Sequence, residues 1–226
     1  KLVTASAALH YLGPEYRFPT DFFIDSGGNL YIKGYGDPML ISEEWEIIAR
    51  SLAEKGLPRL EHVFVDNSFF ASEIKVPGST EALDPYNAPV GALSANFNTI
   101  HVHVRPDGYV TSKEPRTPVT DFIRDAARQL GIRGTACVNL GQNGVDFHLY
   151  PAHLLRAFLE RHDIPVHGKV GHRKVPVGLP LFYRHLCRDS LEGVVQKMLK
   201  YSNNFIANQI FLTLGAHIYG KPATLD

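Results

Sequence analysis

Met198-Leu-Lys-Tyr-Ser-Asn-Asn-Phe-Ile-Ala-Asn-Gln-Ile-Phe-Leu-Thr-Leu-Gly215 decides how this chain is read. An amphipathic run from Ser190 to Leu199 leads into it. A second apolar run, Asn203 to Leu214, continues until Gly215. Two helices are therefore expected to meet at Ser202-Asn203-Asn204. A tight connection there turns a hydroxyl and a carboxamide into a cleft, while Phe205, Ile206, Ile210 and Phe211 anchor the backbone. Ser202 also has a plainer reading as the N-cap of the second helix, a position that serine fills well.

Working outward, the opening residues Leu2, Val3, Ala5, Ala8, Leu9 and Leu12 repeat at helical spacing until Gly13-Pro14 stops them. Tyr16 to Asp25 and Asn29 to Lys33 flank Ser26-Gly27-Gly28 and read as a β-hairpin. Ser42, followed by Glu43, Glu44 and Glu46, reads as the cap and acidic first turn of a helix that reaches Lys55. His62 to Val65 is a short strand and Thr99 to Arg105 a longer one. Helices follow at about Thr120 to Leu130 and Ala152 to His162. A Gly- and Pro-rich connection runs from Ile164 to Pro180. This order predicts a mixed α/β class in two parts: residues 1–25 and 150–226 form one discontinuous domain, and 26–149 form a strand-rich insertion.

Composition excludes more than it identifies. The 226 residues are 44% apolar and 20% charged, and 23 basic side chains balance 23 acidic ones before eleven histidines are counted. That balance leaves no electrostatic footprint for nucleic acid or an anionic membrane surface. No apolar run approaches the ~20 residues that span a bilayer. Cys137 and Cys187 leave two readings open, a disulfide or two small buried apolar side chains, the second being favoured.

Several motifs compete for the chemistry. Ser72-Glu73-Ile74-Lys75 fits Ser-x-x-Lys, but Val76-Pro77-Gly78 forbids the helix that would align serine and lysine. Ser94-Ala95-Asn96 fits Ser-x-Asn but lies far from any long apolar helix. His101 and His103 alternate on one strand face at a spacing that can hold zinc and would suit a metal-dependent hydrolase. No companion ligand sits at a recognisable spacing, so no metal and no cofactor are expected. The remaining histidines are read as exposed or singly hydrogen-bonded. Gly141-Gln142-Asn143-Gly144 lacks the ending of a phosphate loop.

Serine acyl-transfer enzymes that recognise penicillin carry Ser-x-x-Lys, Ser-x-Asn and Lys-Thr-Gly signatures. Lys1-Leu-Val-Thr-Ala-Ser-Ala-Ala-Leu9 reads like the lysine of the first and the helix behind it; Ser202-Asn203-Asn204 reads like the second. Three further stretches join them: Gly28-Asn-Leu-Tyr-Ile-Lys-Gly-Tyr-Gly-Asp-Pro38, Val65-Asp-Asn-Ser-Phe-Phe70 and Ala92-Leu-Ser-Ala-Asn-Phe-Asn98. In their order and spacing the chain resembles the D-alanyl-D-alanine carboxypeptidase/endopeptidase family, the class C low-molecular-mass penicillin-binding proteins.

The resemblance implies a partial serine transpeptidase-like domain of the cell envelope or periplasm. It would hydrolyse peptidoglycan stem peptides through an acyl-enzyme and be inhibited by β-lactams. It further implies that a serine three residues before Lys1, outside these 226 residues, is the nucleophile and Lys1 its base. Ser202 would relay a proton to the leaving amine, and Asn204 would hold the substrate amide or the Lys1 ammonium. Asp66 and Phe70 would line a side pocket for the third residue of the stem peptide. With the nucleophile and Lys-Thr-Gly outside the chain, these 226 residues alone are expected to be inert. The alternative is a catalytically inactive, peptidoglycan-binding envelope protein of the same fold.

Overall fold

A computed structural model describes residues 1–225. Its elements run α1 (Leu2–Tyr11), β1 (Pro19–Ile24), β2 (Leu30–Gly34), α2 (Ser42–Glu54), β3 (Val63–Asp66), β4 (Thr99–Val104), β5 (Val110–Ser112), α3 (Asp121–Gln129), β6 (Gly134–Asn139), α4 (Tyr150–Glu160), β7 (Val170–His172), β8 (Leu181–Leu186), α5 (Leu191–Lys200) and α6 (Asn204–Tyr219). The mixed α/β class is the one the residue pattern calls for.

The strands form a mixed five-stranded sheet, β7-β3-β2-β1-β8, and a three-stranded antiparallel sheet, β5-β4-β6. The β1–β2 hairpin turns where expected. The Asp25 carboxylate accepts from the backbone N–H of Gly27 and of Asn29, each at 2.9 Å, and Gly28 supplies the positive φ. On its other edge β1 takes β8, and the Arg184 guanidinium donates to both oxygens of buried Asp21, at 2.6 and 2.7 Å.

Apolar side chains gather in separate cores. One large core unites both sheets with α2 and α4, from Phe22 through Trp45, Ile100 and Phe158 to Val166. A second core joins α1, α5 and α6 through Ala5, Ala8, Phe18, Cys187, Val194, Met198, Ile206 and Ile210. The chain thus passes between cores near Phe18 and again near Cys187. Position 26 lies within the β1–β2 turn and position 149 just before α4, and apolar side chains on both sides of each pack in the large core.

Other expectations are corrected by the same geometry. Ser42 is the first residue of α2, not its cap. Its backbone N–H donates to Asn96 Oδ1 at 2.8 Å, so a side chain 54 positions away serves the open helix end. The two cysteines are both free: Cys187 is buried as anticipated, but Cys137 is exposed and no disulfide joins them. Strands β5 to β8 went unread because they are short or border turns. Gly215 does not end α6, which continues to Tyr219.

Candidate active site

The site is built where α1 meets the α5–α6 connection. Ala5 and Ala8 present small side chains to Val194, Val195, Met198 and Ile206, so α1 approaches that pair closely. Lys1 stands at the N-cap of α1 with its side chain free to reach across. Its Nζ donates to Ser202 Oγ at 3.3 Å and to Asn204 Oδ1. Lys1, Ser202 and Asn204, expected as one catalytic set, are brought together by the fold.

Local geometry assigns Ser202 a role other than the helix cap. The N–H of Asn203 donates to Met198 O at 3.0 Å and that of Ser202 to Leu199 O at 3.3 Å. This paired closure ends a helix around a left-handed residue, normally glycine. Ser202 occupies that position with φ 48°. The cap of α6 is instead Asn203, whose side chain accepts from Ile206 N at 3.0 Å. Ser202 thus stands where glycine is easier, with its hydroxyl beside the Lys1 ammonium.

The two decoys are structural. Ser72 and Lys75 lie in irregular chain with no helix between them. Ser94 is buried and donates to Asp37 O at 3.1 Å; Asn96 is spent on Ser42 and on the Tyr150 hydroxyl, 2.9 Å away.

Asp66 and Phe70 are both buried and line one cavity of about 580 Å³, shared with His148, His172, Arg173 and Lys174. Burial pushes the Asp66 carboxyl up. The Ser68 hydroxyl, the Val175 and Ser68 backbone N–H groups and the Lys33 ammonium 3.3 Å away outweigh it and hold it below the usual carboxylate range. Its partner Lys33 lies directly across the β2–β3 register. The basic lining was not singled out from sequence, since His148, His172 and Arg173 come from distant segments. His148 is pushed down to about 4, chiefly by burial, and its Nδ1 has no partner. His172 Nε2 meets Asp146 Oδ2 at 2.7 Å. His185 is buried beside Glu44 and is also pushed down to about 4, by burial and by Arg188. Of the histidines expected to be exposed or singly hydrogen-bonded, His148 is half-buried and His185 buried.

His101 and His103 share one face of β4, opposite Cys137 and Thr135, and the His103 ring bonds the Thr135 hydroxyl at 2.8 Å. Among the described residues no three His, Cys, Asp or Glu side chains gather as a metal set.

A mixed α/β fold carrying a Lys–Ser–Asn cluster at a helix junction defines the penicillin-recognising serine enzymes as the class to compare. The chain belongs to the D-Ala-D-Ala carboxypeptidase 3 (S13) family, whose profile matches residues 1–226. It is 23% identical over 264 aligned positions to the D-alanyl-D-alanine carboxypeptidase DacB of Haemophilus influenzae, covering 100% of this chain and 55% of that protein. It is 32% identical over 104 residues to a D-alanyl-D-alanine carboxypeptidase of an Actinomadura species, covering 42% of this chain and 19% of that protein. The crystal structure of Haemophilus influenzae penicillin binding protein 4 (dacB) superposes with a TM-score of 0.75 at 21% identity, over 98% of this chain and 57% of that one. The same protein complexed with a β-lactam gives 0.66 at 20% identity, over 98% and 56%. The chain spans about half the length of the full-length relative it matches.

Proposed function

We propose that this chain is part of a serine-type D-Ala-D-Ala carboxypeptidase/endopeptidase of the cell envelope or periplasm, acting on peptidoglycan stem peptides. The observation that carries the reading is the convergence of Lys1 Nζ on Ser202 Oγ and Asn204 Oδ1 across the whole sequence. An inactive peptidoglycan-binding protein would have no use for a strained serine at that point, so the enzyme is the better reading.

The proposed reaction follows from the cluster. The serine that the family reading places three residues before Lys1 would lie one helical turn away, on the face that carries the lysine. The Lys1 amine takes its proton as the serine oxygen attacks the carbonyl carbon between two D-alanines. The C–N bond breaks, and Ser202 passes a proton to the leaving amine. An ester remains on the serine, which water hydrolyses. Asn204 holds Lys1 or the substrate amide. Asp66 and Phe70 are proposed to receive the third residue of the stem peptide: the carboxylate pairs with a free ammonium, joining or displacing Lys33, and the ring packs against methylenes. The unit between Phe18 and Cys187 is proposed as the insertion that carries this pocket. Among the described residues no helix is long and apolar enough to cross a membrane.

A labelled penicillin followed by intact-mass measurement tests the proposal. The chain extended by its natural flanks gains one covalent adduct, and residues 1–226 alone gain none. An adduct on residues 1–226 would place the nucleophile elsewhere and overturn it.

A further inference from the structure

Asn96, Phe97 and Asn98 form three consecutive non-glycine residues with left-handed backbone, φ 47°, 57° and 52°. Asparagine tolerates that region, whereas a bulky phenylalanine there is a true outlier. Such a turn persists only where its surroundings impose it, and here they do. Asn96 N donates to Leu40 O at 3.0 Å, Asn96 Oδ1 accepts from Ser42 N, and Asn96 Nδ2 reaches the Tyr150 hydroxyl. Asn98 Oδ1 accepts from Ala95 N at 3.3 Å, Asn98 Nδ2 donates to Pro89 O at 2.9 Å, and Asn98 O accepts from Leu140 N at 3.0 Å. Two asparagines clamped to the large unit leave the residue between them no choice of direction.

The direction is informative. Leu93, Ala95 and Ile100, on either side, belong to the large core. The Phe97 ring leaves it and packs against two other groups: the α1–α5–α6 core, and the cluster of Phe70, Val90, Phe205 and Leu212. It meets the Phe205 ring edge-on, centroids 5.8 Å apart at 87°. Phe205 directly follows Asn204, and Asn204 holds Lys1.

We propose that Phe97 is a positioning residue for the second motif: the left-handed turn aims its ring at Phe205 and so fixes Asn204 and Ser202 opposite Lys1. This rests on the acyl-transfer reading of the site and adds a second wall to it. The large unit supplies that wall from outside the helices that carry the chemistry. The spring is the strained turn, and its anchors are Asn96 and Asn98.

The test is acylation kinetics on the full-length protein, with penicillin concentration varied so that the limiting rate and the half-saturating concentration separate. Phe97→Gly removes the ring and also the left-handed strain, so the fold is retained better than by Phe97→Ala. Phe97→Leu keeps apolar volume without the edge-on contact, and Phe97→Tyr keeps the ring. The limiting rate falls about 10–100-fold in Phe97→Gly and Phe97→Leu, the scale set by misplacing a reacting group by about 1 Å, with half-saturation little changed. Phe97→Tyr restores the parental rate. Parental limiting rates in Phe97→Leu, or a lowered melting temperature with unchanged acylation by the folded fraction, overturn the proposal. Ser202→Gly is measured alongside. If it acylates slowly while the Phe97 variants are normal, only the positioning role fails; if it acylates normally, the site reading fails and takes this proposal with it.

Discussion

Lys1 Nζ lies 3.3 Å from Ser202 Oγ although 201 positions separate the two residues. The contact joins the start of α1 to the left-handed residue that closes α5. It exists because alanines at 5 and 8 let those helices approach. In the proposed reaction, proton transfer between the two groups would need no further chain movement.

Ser202 makes the sharpest prediction. In a glycine-favouring position, Ser202→Gly relieves left-handed strain and stabilises the fold by about 1 kcal/mol. Acylation nonetheless drops by roughly 10²–10⁴-fold, the usual contribution of a positioned proton carrier. Ser202→Ala loses the same activity without gaining the stability. Thermal melts paired with penicillin acylation rates check both halves, and an unstabilised Ser202→Gly with normal rates contradicts them.

Ala8 is fully buried between α1 and its neighbours. Replacing it with leucine overpacks that contact, costing about 1–3 kcal/mol. It also pushes the Lys1 end of α1 away from Ser202, so acylation falls further than stability alone explains. The same change at exposed Val3 leaves both intact; denaturant melts and acylation rates on the two variants show the difference.

Asp66 separates specificity from chemistry. Asp66→Ala lowers kcat/KM for stem peptides whose third residue carries a free amine about tenfold or more, the worth of one charge-assisted contact. Peptides without the amine are turned over at near-parental efficiency. Equal effects on both peptides would place the side pocket elsewhere.

Asp37 gives a pH signature. Burial, reinforced by Glu44 and Asp189, raises its carboxyl to about 7 against the Met39 N–H and the Cys187 thiol. The folded state therefore holds this proton more tightly than the unfolded chain. The stability it confers is complete below about pH 4 and drains away as pH rises through 7. Asp37→Asn keeps the acceptor for Met39 N and removes that slope, so it melts higher than the parent at pH 8 and not at pH 4. Parallel melting curves for the two proteins across that range would refute the assignment.

The helices were legible because each rests on local pattern, and Lys1, Ser202 and Asn204 were picked out as candidates by their likeness to short family motifs. Gly13-Pro14 stops α1, Thr120 caps α3 through Ile123 N, and apolar spacing marks α6. What stayed hidden depends on distant partners. Arg184 next to Asp21 reveals β8 only once β1 is beside it. Asn96 caps α2 from another segment, which no reading of Ser42 anticipates. Ser202 looked like an N-cap because serine favours caps; a serine in a helix-closing left-handed position has no local mark. The basic wall of the Asp66 cavity comes from residues 148 and 172–174, 82 or more positions further along.

Where the chain passes between its two cores, Cys187 N donates to Phe18 O at 2.8 Å beside the Pro19–Leu186 pair, so β1 begins and β8 ends side by side. Closing a loop of some two hundred unstructured residues to bring Lys1 to Ser202 would be slow and entropically costly, the cost growing as about (3/2)RT ln n. Once the unit from Phe18 to Cys187 has folded, that loop has shrunk to a short bridge. Loop-closure entropy therefore favours one order of assembly, sheets first and the α1–α5–α6 contact last. On that order, a lesion deep in either sheet is expected to delay the meeting of Lys1 and Ser202 without touching either residue.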